Sequence, residues 1–118
     1  MSFDWREYIK LAEELIIQNK KESCLRSGIS RAYYGVFCIM RDKAGLKSYR
    51  ERDVHGKVIN HYKSSNDGKE RYVGKLLDEL RKKRNDADYD EDKNINADSA
   101  KTSLLESKTI LQKMDISL

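Results

Sequence analysis

The sequence predicts an all-α fold: an antiparallel, up-and-down helical bundle of four long helices and one short helix, in a single domain covering residues 1–118. Three observations predict it. Apolar residues recur at helical spacing through nearly the whole chain, and strand-like alternation is absent. There is no proline and the glycines are scattered, so nothing breaks the periodic segments internally. The polar stretches between those segments are short, which makes consecutive helices antiparallel neighbours. A chain of 118 residues can enclose one core without metal or disulfide staples.

The first helix is expected over about 4–20, with Asp4 as its cap and Glu7 completing a capping box. Tyr8, Leu11, Ala12, Leu15 and Ile16 form its apolar stripe. The second runs over about 22–45 and ends at Gly45, a suitable residue for the left-handed position after a helix. Leu25, Ile29, Ala32, Tyr33, Val36, Phe37 and Met40 make its stripe. Gly28, Ala32 and Gly35 are small enough to admit another helix closely. A short third helix covers about 53–64, with Val54, Val58, Ile59 and Tyr62 on one face. Ser64-Ser65-Asn66-Asp67-Gly68 has turn composition. The fourth helix covers about 69–89 on Val73, Leu76, Leu77 and Leu80. An acidic loop follows over 90–96. The fifth helix, about 96–115, turns Ala97, Ala100, Leu104, Ser107, Leu111 and Met114 inward.

Composition narrows the class. Charged residues make up 37% of the chain and the mean hydropathy is −0.85, with no apolar run near the ~20 residues of a membrane span. Asp4, Arg6 and Glu7 interrupt any leader-like apolar start. The expectation is a soluble cytoplasmic protein with no membrane partner. Cys24 and Cys38 are 14 residues apart on the second helix, about 21 Å along its axis, too far for a disulfide. No Cys/His cluster has zinc spacing, and no cofactor is suggested. The Asp86–Asp90 acids mimic half of a calcium loop, but Glu91 takes the glycine position and Ala97 that of the bidentate Glu, so a solvated loop is expected.

The net charge of +4 is mild, but its distribution is uneven. Seven basic residues against three acidic ones lie between Lys69 and Arg84, and five acids follow between Asp86 and Asp92. Arg81-Lys82-Lys83-Arg84 could track phosphates, or its two lysines could simply solvate the back of a helix. Arg84 is the more informative residue, because it continues the apolar stripe of the fourth helix where another Leu or Ile belongs. A guanidinium is rarely buried without a partner. Arg84 is therefore expected in a crevice or subunit interface, facing an anion. Asp88, at i+4, offers a structural ion pair. The alternative is a polar pocket with Arg84 as anion clamp, Asn85 as hydrogen-bond donor and Tyr89 as phenolic donor. Arg31 and Tyr34 share a helical face, and either border that crevice or form a cation–π pair at the core edge. His55 either bonds a backbone group at its helix start or packs near helix four beside Arg84. His61 reads as exposed.

The string Ser30-Arg31-Ala32-Tyr33-Tyr34, then His55 with Val58, Ile59 and Tyr62, then Leu80-Arg81 leading to Arg84-Asn85 and Ala87-Asp88-Tyr89, resembles the HEPN superfamily. Within it, the chain is similar to small prokaryotic members whose fourth helix ends in an Arg-x-x-Ala-Asp-Tyr pattern. The resemblance spans nearly the whole chain. It implies a homodimer, with Arg84, Asn85 and Tyr89 as the catalytic set lining a cleft near the two-fold axis. Arg31, Tyr34, His55, Arg81 and Asp88 are the candidate substrate-binding residues around them. It also implies RNA as target, metal-independent endoribonuclease chemistry, and a small nucleotidyltransferase antitoxin as partner in a toxin–antitoxin or defence system. One departure bears on the chemistry. The nuclease signature ends in His, Tyr89 stands at that position, and no histidine follows Arg84. A phenol is a poor general base at neutral pH. The expectation is an RNA-targeting protein with weak or lost nuclease chemistry. The alternative is a non-catalytic subunit that holds a nucleotide or anion, or docks the nucleotidyltransferase.

Overall fold

The computed structural model describes residues 2–18 and 20–118 and is a helical bundle. Its helices are α1 (Arg6–Ile17), α2 (Glu22–Lys43), α3 (Val54–Lys63), α4 (Gly68–Tyr89) and α5 (Ala97–Lys113). The expected elements are all present in the expected order. Asn19, in the last turn expected of the first helix, lies outside the described residues. Among the described residues no helix is long and apolar enough to cross a membrane.

The central element is α2, which packs against each of the other four helices. Its predicted stripe is buried throughout, and Gly28, Ser30, Gly35 and Cys38 are buried beside it. The small residues explain how. A Cβ on Gly28 would collide with the Ile16 side chain, and one on Gly35 would lie 3.0 Å from the Trp5 carbonyl, so α1 lies directly on α2 at both points. Gly45 then ends the helix at φ 73°, with Gly45 N–H donating to Asp42 C=O and Leu46 N–H to Arg41 C=O. That pair of bonds is the Schellman closure a C′ glycine allows.

Two stripes differ in phase from their sequence reading. In α1 the buried residues are Ile9, Ala12 and Ile16, whereas Leu11 is exposed. The reason is the aromatic group at the start of the chain. Phe3, Trp5 and Tyr8 gather with Tyr34 at centroid distances of 5.1–6.4 Å and set the rotation of the helix. The expected Asp4 cap with its Glu7 capping box does not form: the N-cap is Trp5, without a side-chain cap bond, and Asp4 instead accepts from Arg6 N–H at 3.0 Å and holds the Arg6 guanidinium at 2.7 Å. In α5, Ser103 and Ile110 are buried alongside Ala100, Leu104, Ser107 and Leu111, whereas Ala97 and Met114 are only partly buried. Ser103 and Ser107 donate to carbonyls of their own helix, which satisfies both hydroxyls inside the core.

The packing of α3 against α4 places the site. A Cβ on Gly74 would come within 2.6 Å of the Lys63 backbone nitrogen, so the two helices touch backbone to backbone. Asp53, at φ 57°, starts α3 in the left-handed region and accepts from Gly56 N–H at 3.0 Å. This turn delivers His55 to the flank of α2, and the contact of α3 with α4 sets Arg81 beside Asp53.

Candidate functional site

One stripe of α2 carries Arg26, Ser30, Tyr33 and Phe37 at successive spacings of 4, 3 and 4 residues. It faces the C-terminal half of α4 and the start of α3, and the candidate residues are organised along it.

Arg84 lies across the buried Tyr33 ring, its guanidinium carbon 5.8 Å from the centroid, and 5.5 Å from the Tyr89 centroid. Its side chain keeps 18% of its exposure. Nε donates to Asp88 Oδ2 at 2.8 Å and Nη1 to Asn85 Oδ1 at 3.3 Å. The charge that interrupts the apolar stripe is thus met by the i+4 carboxylate. The same Asp88 oxygen accepts from Ser30 Oγ at 3.0 Å, and Ser30 Oγ is 3.4 Å from Arg31 Nη2. A chain of polar contacts therefore runs Arg84–Asp88–Ser30–Arg31 and joins α4 to α2. Among the described residues Nη2 of Arg84 meets no acceptor, so one edge of the guanidinium remains available to an anion.

His55 enters from α3. Its Nδ1 lies 2.6 Å from Tyr33 Oη, and its ring stacks on Phe37 at 4.1 Å. Burial, with Arg81 and Arg84 nearby, lowers its pKa from 6.5 to about 4. Burial pushes the Tyr33 phenol above its usual range. At neutral pH the pair is a protonated phenol against a neutral imidazole, which suits a bond from Tyr33 Oη to Nδ1. His55 therefore bonds a side chain of α2 rather than the backbone, and it sits in the field of Arg84 within the same chain.

The remaining candidates are placed as follows. Arg81 points to the α3 turn and reaches Asp53 Oδ1 at 3.4 Å. Arg31 lies 4.8 Å from the Tyr8 centroid and 5.7 Å from that of Tyr34, a cation–π arrangement at the core edge. Tyr34 packs with Trp5, Tyr8 and Phe37, on the side of α2 that faces α1, and so takes no part in the Arg84 cluster. Asn85 is exposed, and Tyr89 is 71% exposed. His61 is exposed, as its sequence position implies. Cys24 and Cys38 are both free, and burial raises the Cys38 thiol to about 11.

Arg26 is the residue that sequence reasoning missed. Its Nη1 donates to the carbonyls of Asp86, Ala87 and Asp90, its Nη2 to that of Lys93, and its Nε to Glu22. One guanidinium thereby supplies the orphan Ala87 carbonyl at the end of α4, shares those of Asp86 and Asp90 with backbone donors, and fastens the acidic loop, which Ile95 also anchors to the core. The available signal is its phase, one turn before Ser30 on the stripe that faces α4. Ser30 carries the same signal, since a small hydroxyl on a buried face needs a partner.

Chemically, the cluster offers a guanidinium edge, a nearby second arginine and a neutral histidine. His55 stays deprotonated down to about pH 4, so it cannot act as a general acid at neutral pH, and its Nδ1 is occupied by Tyr33. Among the described residues no three His, Cys, Asp or Glu side chains converge to hold a metal ion. No protein-family model matches the chain, and neither does any curated protein or any solved structure.

Proposed function

We propose that this chain is a HEPN-type RNA-targeting component of a toxin–antitoxin or defence system, one that binds RNA phosphate through Arg84 without cleaving it. The observation that carries the reading is the half-sheltered Arg84 guanidinium. It is oriented by Asp88 and the Tyr33 ring and keeps Nη2 open. Ser30 and Arg26 hold the α4 end around it, so the fork is preorganised for an oxyanion. Loss of cleavage is supported by two facts. Tyr89, at the position of the signature histidine, points out at 71% exposure, and His55 is held neutral and occupied. In this reading the working form is a homodimer and the partner a small nucleotidyltransferase antitoxin.

The exposed Tyr89 and the acids around it favour a second reading, in which the end of α4 docks the nucleotidyltransferase and the cluster holds a nucleotide. The discriminating experiment incubates purified protein with labelled single-stranded RNA in a chelator. Intact RNA that is nevertheless retained in a mobility shift supports the first reading. Metal-free cleavage that disappears in Arg84→Ala contradicts the loss of nuclease chemistry. No retention of RNA favours the second reading.

A further inference from the structure

His55 sits in positive charge without carrying any itself. The charged groups that face it are Arg81 and Arg84 from α4 and Asp53 at the start of its own helix. From α2 it meets Tyr33 and Phe37, both uncharged at neutral pH. The Tyr33 ring joins the two sides of this group. It lies nearly parallel to the imidazole, with 5.6 Å between centroids, and the Arg84 guanidinium carbon is 5.8 Å from its centroid. The imidazole and the anion-facing guanidinium are therefore one ring apart. We propose that an anion held by Arg84 brings a proton with it, taken from solvent by His55. This rests on the reading of Arg84 as an anion clamp and adds a proton to what the cluster binds.

The charge balance favours the coupling. Asp53 offsets only part of the positive field: its carboxylate accepts from Gly56 N–H at 3.0 Å and is turned to Arg81 at 3.4 Å. Asp88 takes Nε of Arg84 and a bond from Ser30, and Nη2 stays open. Burial first, and then Arg81 and Arg84, hold the His55 pKa down at about 4. An anion on Arg84 cancels one of those positive charges and adds a negative one, and both changes favour imidazolium. By linkage, the proton strengthens anion binding by the same factor.

The hydrogen bonding allows the change without moving a helix. In the neutral form Tyr33 Oη–H donates to Nδ1 across 2.6 Å. Imidazolium is a donor at both nitrogens, and a hydroxyl oxygen accepts as well as donates. Protonated His55 then donates from Nδ1 to Tyr33 Oη, so the contact is kept with its direction reversed. The phenolic hydrogen gives up its acceptor, which keeps the proton off until the anion arrives. The Phe37 ring, stacked on the imidazole at 4.1 Å, offers a face that attracts a cation.

The test follows the imidazole resonances of His55 in the full chain by NMR as the pH is lowered. The exposed His61, the chain's other histidine, is the internal reference. Because the imidazole is read directly, protonation of Asp53 or Asp88 cannot mimic the signal. Sodium sulfate is compared with sodium chloride at equal ionic strength, and occupancy of the clamp is read from Arg84 Nε–H. Sulfate is expected to move that resonance and to raise the His55 midpoint from about 4 by roughly one pH unit, with His61 unmoved. A midpoint raised that far is resolved from the upper limb of the curve, above about pH 4.5, where folding is least disturbed. Without sulfate, Arg84→Met should itself raise the midpoint by about half a pH unit, and Arg81→Met serves if the first variant disturbs folding. If sulfate moves Arg84 Nε–H and leaves the His55 midpoint unchanged, the coupling is overturned and the anion clamp stands. If sulfate leaves Arg84 Nε–H unmoved, both are overturned. An equal rise at His55 and His61, or a midpoint unchanged in both arginine variants, also overturns the coupling.

Discussion

Arg26→Met keeps the aliphatic stem of the side chain and removes only the guanidinium, and the structure gives its cost. The group makes four bonds to carbonyls and one to Glu22, and its side chain is 19% exposed. The Lys93 residue is exposed and its carbonyl can return to water, so that bond costs little when lost. Glu22 is 47% exposed, and an exposed i,i+4 pair contributes at most about 0.5 kcal/mol. Only the carbonyl of buried Ala87 is left without a donor, because Asp86 C=O still accepts from Asp90 N–H at 3.1 Å and Asp90 C=O from Lys93 N–H at 3.3 Å. One buried unsatisfied carbonyl costs about 1–3 kcal/mol, which places the total at about 2 kcal/mol. Thermal and urea unfolding should show that loss, with the midpoint temperature lowered by roughly 8 °C. Glu22→Gln, measured alongside, should change stability by less than about 0.5 kcal/mol. A loss below about 1 kcal/mol for Arg26→Met, or equal losses in both variants, would refute the capping argument.

Two further expectations concern the site's frame and its charge. Gly74→Ala should destabilise the fold by about 1–2 kcal/mol, because the clash with the Lys63 backbone lies toward the upper end of the about 1–3 kcal/mol that overpacking costs, and the gain in helix propensity offsets only about 1 kcal/mol. Gly28→Ala should cost a comparable amount, since its new Cβ would lie 2.5 Å from Cγ1 of the buried, β-branched Ile16; a urea midpoint unchanged in either variant would contradict this. His55 takes a proton near pH 6.5 when unfolded and near pH 4 when folded. Its stabilising contribution is therefore complete above about pH 6.5 and is lost as the pH falls toward 4, with a slope of at most about 1.4 kcal/mol per pH unit. His55→Gln should flatten unfolding free energy against pH in that window, and an unchanged slope would count against the buried neutral imidazole.

The bundle was legible because helical periodicity, a glycine stop and small contact residues all leave local marks. Gly45 and the stripe of α2 illustrate this, and Gly28 and Gly35 forecast the approach of α1. The phase of α1 was not legible, because it depends on where Phe3, Trp5 and Tyr8 collect around Tyr34, and that grouping is tertiary. The same division holds at the site. The Arg84–Asp88 pair follows from i,i+4 spacing and is present. The Tyr33–His55 bond, the Ser30 contact to Asp88 and the Arg26 cap each join residues 22 to 67 positions apart. For Arg31 and Tyr34 the sequence leaves a crevice or a cation–π pair open, and the structure shows the cation–π pair, with Tyr34 packed on the aromatic group of α1.

The central claim, that Arg84 is preorganised for an RNA phosphate, is tested most directly by affinity. A fluorescent single-stranded RNA is titrated with wild type and Arg84→Ala across a salt series, with helicity checked by circular dichroism. Loss of one charged phosphate contact should weaken binding about tenfold or more and lower the salt slope by about one. Equal affinities and equal slopes in two folded proteins would contradict the claim.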